Sequence, residues 1–370
     1  MSDPDATVDA GELPAVLSSM PAVLSSMPAL EVTDAEVLHD GLNRSVLLST
    51  AADGGPYVLR QPRKFRDTAL FNDLRTEYEV LQALEDTDIP TPKPVSYCAD
   101  ESVLGDPFFL VTYLEGTEVP LGEPLPERFR TAPARGRFAT TLIDTMAEIH
   151  TVDCDPFAEV CERRSPRAQL EAAVDRIEGA TQATGFEPLA LWSLVEWLRE
   201  AAPANPERRL VHGDYRPGNV LFAGDERPRL TGVLDWESAF LGDPRTELGY
   251  LLLRWGADGD APVDRGPLEA RYSAADLAPV REVADEGLAP FTTEPGSPSR
   301  EELVARYEAE TGIRFDADRY YRVLAAVLLA AVWADLHRER CADGRDSSFP
   351  QRIDHLSLVA RSVREGNRPM

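Results

Sequence analysis

Three side chains in this sequence have the types and spacing of a phosphoryl-transfer centre. In Leu210–Phe222, LVHGDYRPGNVLF, an aspartate (Asp214) and an asparagine (Asn219) are separated by four residues in a turn-rich loop that runs into an apolar strand. Sixteen residues further on, Asp235 stands in GVLDWE, at the end of the second strand of a strand–turn–strand, Val220–Ala223 and Arg229–Asp235. A hairpin returns the chain towards its start, so Asp214, Asn219 and Asp235 are expected to converge. One carboxylate able to take a proton, with an Asn/Asp pair offering hard oxygen ligands, is what magnesium-dependent phosphoryl transfer requires.

The elements that must position these residues fall into two groups. Glu31–Gly116 is strand-rich with one helix. Strands are expected at Ser45–Ser49 and Tyr57–Arg60 around an Asp53-Gly54-Gly55 turn, and at Phe108–Leu114. Asp73–Leu84 has helical spacing of Leu74, Tyr78, Leu81 and Leu84, and Pro90, Pro92 and Pro94 then force an extended segment. Helices follow at Arg137–Thr151, Pro166–Ala180, Pro188–Ala201, Arg300–Thr311 and Ala317–Glu339. Gly256–Pro298, rich in Pro, Gly, Ala and Asp, reads as a loosely structured insertion. A sheet lobe followed by a helical lobe predicts a cleft, a favoured place for ligands.

HGDYRPGN resembles the catalytic loop of the kinase-like phosphotransferases, the aminoglycoside phosphotransferase and choline kinase group. LDWE followed by Gly242-Asp243-Pro244 resembles their metal-binding segment. GLNRSVLL (Gly41–Leu48), YVLRQP (Tyr57–Pro62), RTEYEVLQAL (Arg75–Leu84), IPTPKPV (Ile89–Val95), SVLGDPFFLVTYLEG (Ser102–Gly116) and PSREELVARYEAETG (Pro298–Gly312) are similar to the subgroup that includes the kinase-like domain fused to some acyl-CoA dehydrogenases. The likeness runs from Glu31 to His337 in the expected order.

That resemblance implies an α+β, two-lobed protein-kinase-like fold. A disordered tail (1–30) would precede a nucleotide-binding N-lobe (31–116) made of a small five-stranded antiparallel sheet and one helix. A larger, mostly helical C-lobe (117–365) would carry the catalytic loop and acceptor pocket, with 256–298 as its insertion. It implies ATP and Mg2+ as cofactors and a small-molecule hydroxyl as acceptor. Asp214 would be the catalytic base, with Asn219 and Asp235 holding magnesium and Glu237 reaching a second metal or its water. Arg216 would neutralise charge on the transferred group. Asn43 and Ser45 would offer donors to the phosphates from the turn Gly41–Ser45, and Arg60, where relatives often carry lysine, would clamp phosphate and pair with Glu77. Thr112, Tyr113 and Leu114 would form the hinge that meets adenine. His212 and Asp243 brace the loop; His150 and His337 are structural. Two other readings are an atypical protein kinase, opposed by HGD for HRD and by LDWE for DFG, and a nucleotide-binding regulatory module, opposed by the intact base and metal ligands.

Composition bounds the partners. Of 38 basic side chains only Lys64 and Lys93 are lysine, and against 64 acids the net charge is −26. Nucleic-acid binding needs a basic surface that releases counterions, and anionic membranes need the same, so neither partner is expected. The arginine-for-lysine, acid-rich surface resembles proteins of salt-loving archaea, where screening tames self-repulsion. The local exception is Arg60, Arg63, Lys64 and Arg66, four cations in seven residues. This run is read as a solvated face, placed where it could also attract a polyanion. Eight acids and no base precede Arg44, and PAVLSSM repeats at Pro14–Met20 and Pro21–Met27, so no secretory leader is expected. The run Val323–Ala334 is too short to span a bilayer, and the scattered Cys98, Cys154, Cys161 and Cys341 have no zinc or disulfide spacing. A cytoplasmic monomer or homodimer is the expectation.

Overall fold

The structure is a computed structural model that describes residues 32–40, 43–51, 55–62, 72–204, 206–257, 259–278, 280 and 288–370. The chain forms two compact units. The first comprises the described residues up to Thr117, with Asp155–Cys161 and Thr231–Ala239 returning to it; the second holds Glu118–Cys154, Glu162–Leu230 and Phe240–Met370. These two returns are the difference from a simple division at residue 116.

In the first unit, β1 (Val32–Asp40), β2 (Asn43–Thr50), β3 (Tyr57–Pro62), β4 (Pro94–Cys98) and β5 (Phe108–Thr112) form one antiparallel sheet in the order β1-β2-β3-β5-β4. Strand β2 alternates, sending Val46 and Leu48 inward with Leu59, Phe108 and Leu110. Strand β5 is instead a continuous apolar run, Phe108–Val111, buried throughout. It ends at Thr112 rather than Leu114: Tyr113 N–H still donates in register to the Pro56 carbonyl (3.1 Å), but proline has no N–H to return the bond. Helix α1 (Leu74–Leu84) begins where Asp73 caps the Thr76 N–H at 2.7 Å. Its buried face carries Glu77 with Val80, Leu81 and Leu84, so one charge enters an otherwise apolar stripe and needs a partner. A short helix, α2 (Glu101–Leu104), was not foreseen.

The second unit is built on helices α3 (Ala132–Thr151), α4 (Pro166–Thr184), α5 (Leu191–Glu200), α6 (Arg245–Arg254), α7 (Gly266–Arg271), α8 (Arg300–Thr311), α9 (Asp318–Ala342) and α10 (Phe349–Glu365). Helix α3 starts five residues before the expected Arg137, because Thr131 caps it and Pro133 occupies its first turn. Helix α8 matches its expected bounds, fixed by the Ser299/Glu302 capping box. Helices α6 and α10 were not foreseen. The Gly256–Pro298 stretch is less loose than expected, since it contains α7 and a 3-10 turn at Pro290–Thr293. Helix α9 is long and apolar enough by length and composition to cross a membrane, but 78% of its most apolar window is buried. It is the core helix of this unit, packed by α4, α6 and α10. Gly249 of α6 lies so close to α9 that a Cβ there would come within 2.6 Å of the Tyr321 Cβ and 2.7 Å of its carbonyl carbon.

Three short strands, β6 (Arg163–Arg164), β7 (Arg209–Val211) and β10 (Phe240–Gly242), form a small mixed sheet in the order β6-β10-β7. Strand β8 (Val220–Ala223) follows the Asp214 loop, and β9 (Arg229–Val233) carries the chain back into the first unit.

Candidate active site

The Asp214 loop leaves β7 through Val211-His212-Gly213. Gly213 sits at φ +87°, a conformation that any side chain would strain, and this turns the chain into Asp214. A 3-10 turn at Pro217–Asn219 closes the loop, and Asn219 ties its ends together by donating from Nδ2 to the Asp214 carbonyl (3.0 Å) and to Asp214 Oδ2 (2.8 Å). Arg216 Nε reaches the same Oδ2 at 3.2 Å. The other carboxylate oxygen, Oδ1, accepts from the Tyr250 hydroxyl at 2.5 Å. Asp214 is therefore a half-buried carboxylate whose two oxygens are each held by a donor. A carboxylate oriented this way can accept a proton from a hydroxyl that takes the place of one of those donors.

Beneath the loop lies a buried carboxylate that the sequence did not point to. Glu247 Oε1 accepts from the Gly213 N–H (2.7 Å), and its Oε2 from the His212 N–H (3.2 Å) and His150 Nε2 (2.9 Å). Burial works to raise the Glu247 pKa, but the His150 and Gly213 hydrogen bonds and the nearby His212 ring hold it below its ordinary range. His150 is completed by the Tyr307 hydroxyl at 2.8 Å. His212 is fully buried and its Nδ1 accepts from the Asp214 N–H (3.2 Å). Asp243, also fully buried, takes the Arg245 guanidinium (2.8 Å) and the Tyr321 hydroxyl (2.9 Å). His212 braces the loop as expected, whereas Asp243 accepts its hydrogen bonds from Arg245, Thr246 and Tyr321 rather than from the loop; His337 bonds Ser347 Oγ at 2.9 Å.

Glu247 and Tyr250 share a face of α6, and Arg254 one turn later adds a cation. Its guanidinium lies 3.5 Å from the Tyr250 ring centroid and it donates to the Tyr250 carbonyl at 3.0 Å. Burial, and next the Asp214 carboxylate, push the Tyr250 hydroxyl above its usual range, so it stays a donor. Arg254 and Arg216 line a cavity of about 10 Å³ together with Val119, Leu121, Leu288 and Phe291.

In the first unit the expected residues gather around Arg60. Each of its nitrogens meets a different carboxylate: Nε with Glu77 (2.9 Å), Nη1 with Asp235 (2.5 Å) and Nη2 with Glu237 (3.0 Å). Burial opposes the Arg60 charge, yet the three carboxylates raise its pKa. Burial raises the Glu77 pKa to about 8: the Arg60 charge pulls it down, but Glu237 and Asp235 add to the rise. Asp235 adopts a left-handed backbone (φ 61°, ψ 57°), which aspartate tolerates better than most residues. The segment is pinned by Asn72, whose N–H and Nδ2 donate to the Glu237 and Ala239 carbonyls at 2.8 Å each, and by buried Trp236.

Asn43 is in this cluster, its Nδ2 donating to Glu237, so it is not poised as a free donor at the head of β2. Ser45 stands opposite Arg60 in the β2–β3 register. Gly41, Leu42, Arg63, Lys64 and Arg66 lie outside the described residues. At the expected hinge, the N–H groups of Thr112 and Tyr113 donate to the Lys93 and Pro56 carbonyls (3.0 and 3.1 Å). Both are committed to the sheet edge, which leaves Leu114 as the residue of the three with a backbone donor to offer. Among the described residues no three His, Cys, Asp or Glu side chains form a ready-made metal cage, and Asp235 and Glu237 are both turned onto Arg60.

Comparison with known proteins adds three findings. Residues 34–283 match the profile of a family described as the phosphotransferase enzyme family. Acyl-CoA dehydrogenase family member 11 of Gallus gallus is 30% identical over 201 residues, which is 53% of this chain and 25% of that protein; the chain thus spans about a quarter of that relative's length. Among solved structures, a Ralstonia eutropha JMP134 protein provisionally called an aminoglycoside phosphotransferase superposes with a TM-score of 0.68 at 21% identity, over 95% of this chain and 98% of that one. Choline kinase from Cryptosporidium parvum Iowa II does so at 0.61 and 9% identity, over 96% of each. These structural likenesses establish a two-lobed, kinase-like α+β fold.

Proposed function

The chain belongs to the phosphotransferase enzyme family, and from that premise we propose that it moves the γ-phosphoryl group of ATP, bound with Mg2+, to a hydroxyl of a small molecule. The observation that carries this is the setting of Asp214: its carboxylate is held by Asn219, Arg216 and Tyr250 on a loop that Glu247 clamps from below. Asp214 takes the proton of the acceptor hydroxyl as the bond to phosphorus forms. Arg216, already beside that carboxylate, offers its charge to the transferred group.

The donor set fits magnesium. This ion takes one or two carboxylates and completes its shell with water and phosphate oxygens, so the lack of a ready-made cage does not oppose it. Asp235 and Glu237 supply carboxylates, and Asn219, whose Nδ2 is spent on Asp214, keeps its carbonyl oxygen. Three carboxylates facing one guanidinium also leave a local excess of negative charge. Magnesium supplies positive charge against the phosphate oxygens when bound. Arg60 gives a paired N–H fork to phosphate while Glu77 orients it, Ser45 and Asn43 line the same strand, and Leu114 N–H serves adenine. Catalysis by such a protein is positioning and electrostatic stabilisation.

The test is Asp214→Asn in the full chain, assayed by ADP release over a panel of hydroxyl compounds and by calorimetry with MgATP. Turnover is expected to fall by about 10³-fold or more with MgATP affinity nearly unchanged. Turnover that survived the substitution would remove Asp214 as the base.

A further inference from the structure

We propose that Arg254 makes the cavity beside Asp214 a recognition site for an anionic group, carboxylate or phosphate, on the hydroxyl-bearing acceptor. This rests on the phosphotransfer reading of Asp214 and adds the substrate's chemical class. The first observation is burial without an anion. Arg254 is 5% exposed, yet among the described residues no carboxylate pairs with it, and its Nε is buried with no hydrogen-bond partner. Its protein contacts are the Tyr250 carbonyl and the Tyr250 ring face, weak compensation for a desolvated guanidinium. In a chain of net charge −26, where other buried arginines such as Arg300 and Arg322 find aspartates (Asp260 and Asp318, 2.6 Å each), such a cation is an exception.

The second observation is place. Arg254 lines the same cavity as Arg216, whose Nε is on Asp214, and it stacks on the tyrosine whose hydroxyl holds the other Asp214 oxygen. An anion at Arg254 therefore lies one side chain from the base, the separation expected within a small hydroxy acid or a phosphorylated alcohol. The walls are Val119, Leu121, Leu288 and Phe291, and among the described residues that line the cavity Glu123 is the one acid. At about 10 Å³ the cavity holds a single water-sized group, so it takes one oxygen of the anion while the rest of the ligand lies outside it. A fork of N–H donors in such a site discriminates an anion from its neutral isostere, because the neutral form leaves the guanidinium unpaired.

The probes are 3-hydroxybutyrate, its methyl ester, glycerol 3-phosphate, glycerol and 3-amino-1-propanol, with the full chain and MgATP. Calorimetric binding is measured on wild type and on Asp214→Asn, alongside ADP release on wild type. The expected result is that 3-hydroxybutyrate or glycerol 3-phosphate binds at least about tenfold tighter than its uncharged partner and the amine, in both proteins; which of the two wins separates carboxylate from phosphate. Arg254→Gln should abolish that preference while leaving MgATP affinity unchanged, and Arg254→Lys should restore part of it. Should Arg254→Gln not fold, the wild-type comparisons of each anion with its uncharged partner decide alone. Equal binding within both pairs, acid with ester and glycerol 3-phosphate with glycerol, or a preference for the amine, would overturn the proposal. Anion-selective binding without any ADP release would uphold the site while counting against phosphoryl transfer.

Discussion

Glu247 shows how a single residue outside the reacting set can govern the loop that carries it. It is a fully buried carboxylate with three donors, and its pKa is held below its ordinary range. The sign of its pH effect follows. A carboxylate with a depressed folded-state pKa contributes stability above its unfolded value, about 4.3, and loses it as pH falls through the lower folded-state value. Glu247→Gln should therefore flatten the loss of stability below about pH 4 and cost roughly 3 kcal/mol at neutral pH. Chemical denaturation across a pH series reads both; an unchanged acid limb would show that other groups set it. None of this was legible in the sequence. Asp214, Asn219 and Asp235 were singled out by their types and spacing, whereas Glu247 and Tyr250 act on residues 34 and 36 positions away, a relation only the packing of α6 creates.

At the scale of elements, those with local signals were legible. Helix α1 has Asp73 as its cap, α8 has its capping box, and β5 is a continuous apolar run. Helix α6 was hidden because it starts immediately after Gly242-Asp243-Pro244 and holds Gly249 in its middle, which reads as a break. Helix α10 mixes polar residues with an early proline, and β6, β7 and β10, at two or three residues each, are too short to show alternation. Which N–H groups of the expected hinge the sheet edge consumes was hidden for a related reason, since it depends on partners far along the chain. The glycine in α6 yields a prediction. By propensity alone Gly249→Ala would stabilise the helix by about 1 kcal/mol. A methyl 2.7 Å from the Tyr321 backbone costs more than that, so a net loss of roughly 1–3 kcal/mol is expected, read as a lower urea midpoint. A raised midpoint would mean that α9 yields to the methyl.

For the whole molecule the dominant quantity is net charge. With 64 acids against 38 bases, self-repulsion acts over the entire surface, while ion pairs such as Arg60 with Glu77 are sheltered from solvent. Salt screens the first more than the second: the Debye length falls from about 10 Å at 0.1 M to about 3 Å at 1 M. Raising KCl across that range should therefore lift the melting temperature by about 3 °C or more, measured by thermal unfolding at fixed pH. A flat or falling response would show that the acidic surface is not salt-adapted. The composition does not indicate where exceptions to that charge lie, and Arg254 is such an exception, recognisable only once its burial is known.

The close contact at Gly249 has a further consequence. Glu247, Tyr250 and Arg254 sit three and four residues apart on a helix of fixed rise, about 1.5 Å per residue, and that helix is seated against the longest core helix at a point with no slack. The loop clamp, the hydroxyl on Asp214 and the buried cation are thus graduations on one ruler. Sliding any of them moves all three, so substitutions at these positions should prove non-additive in pairs.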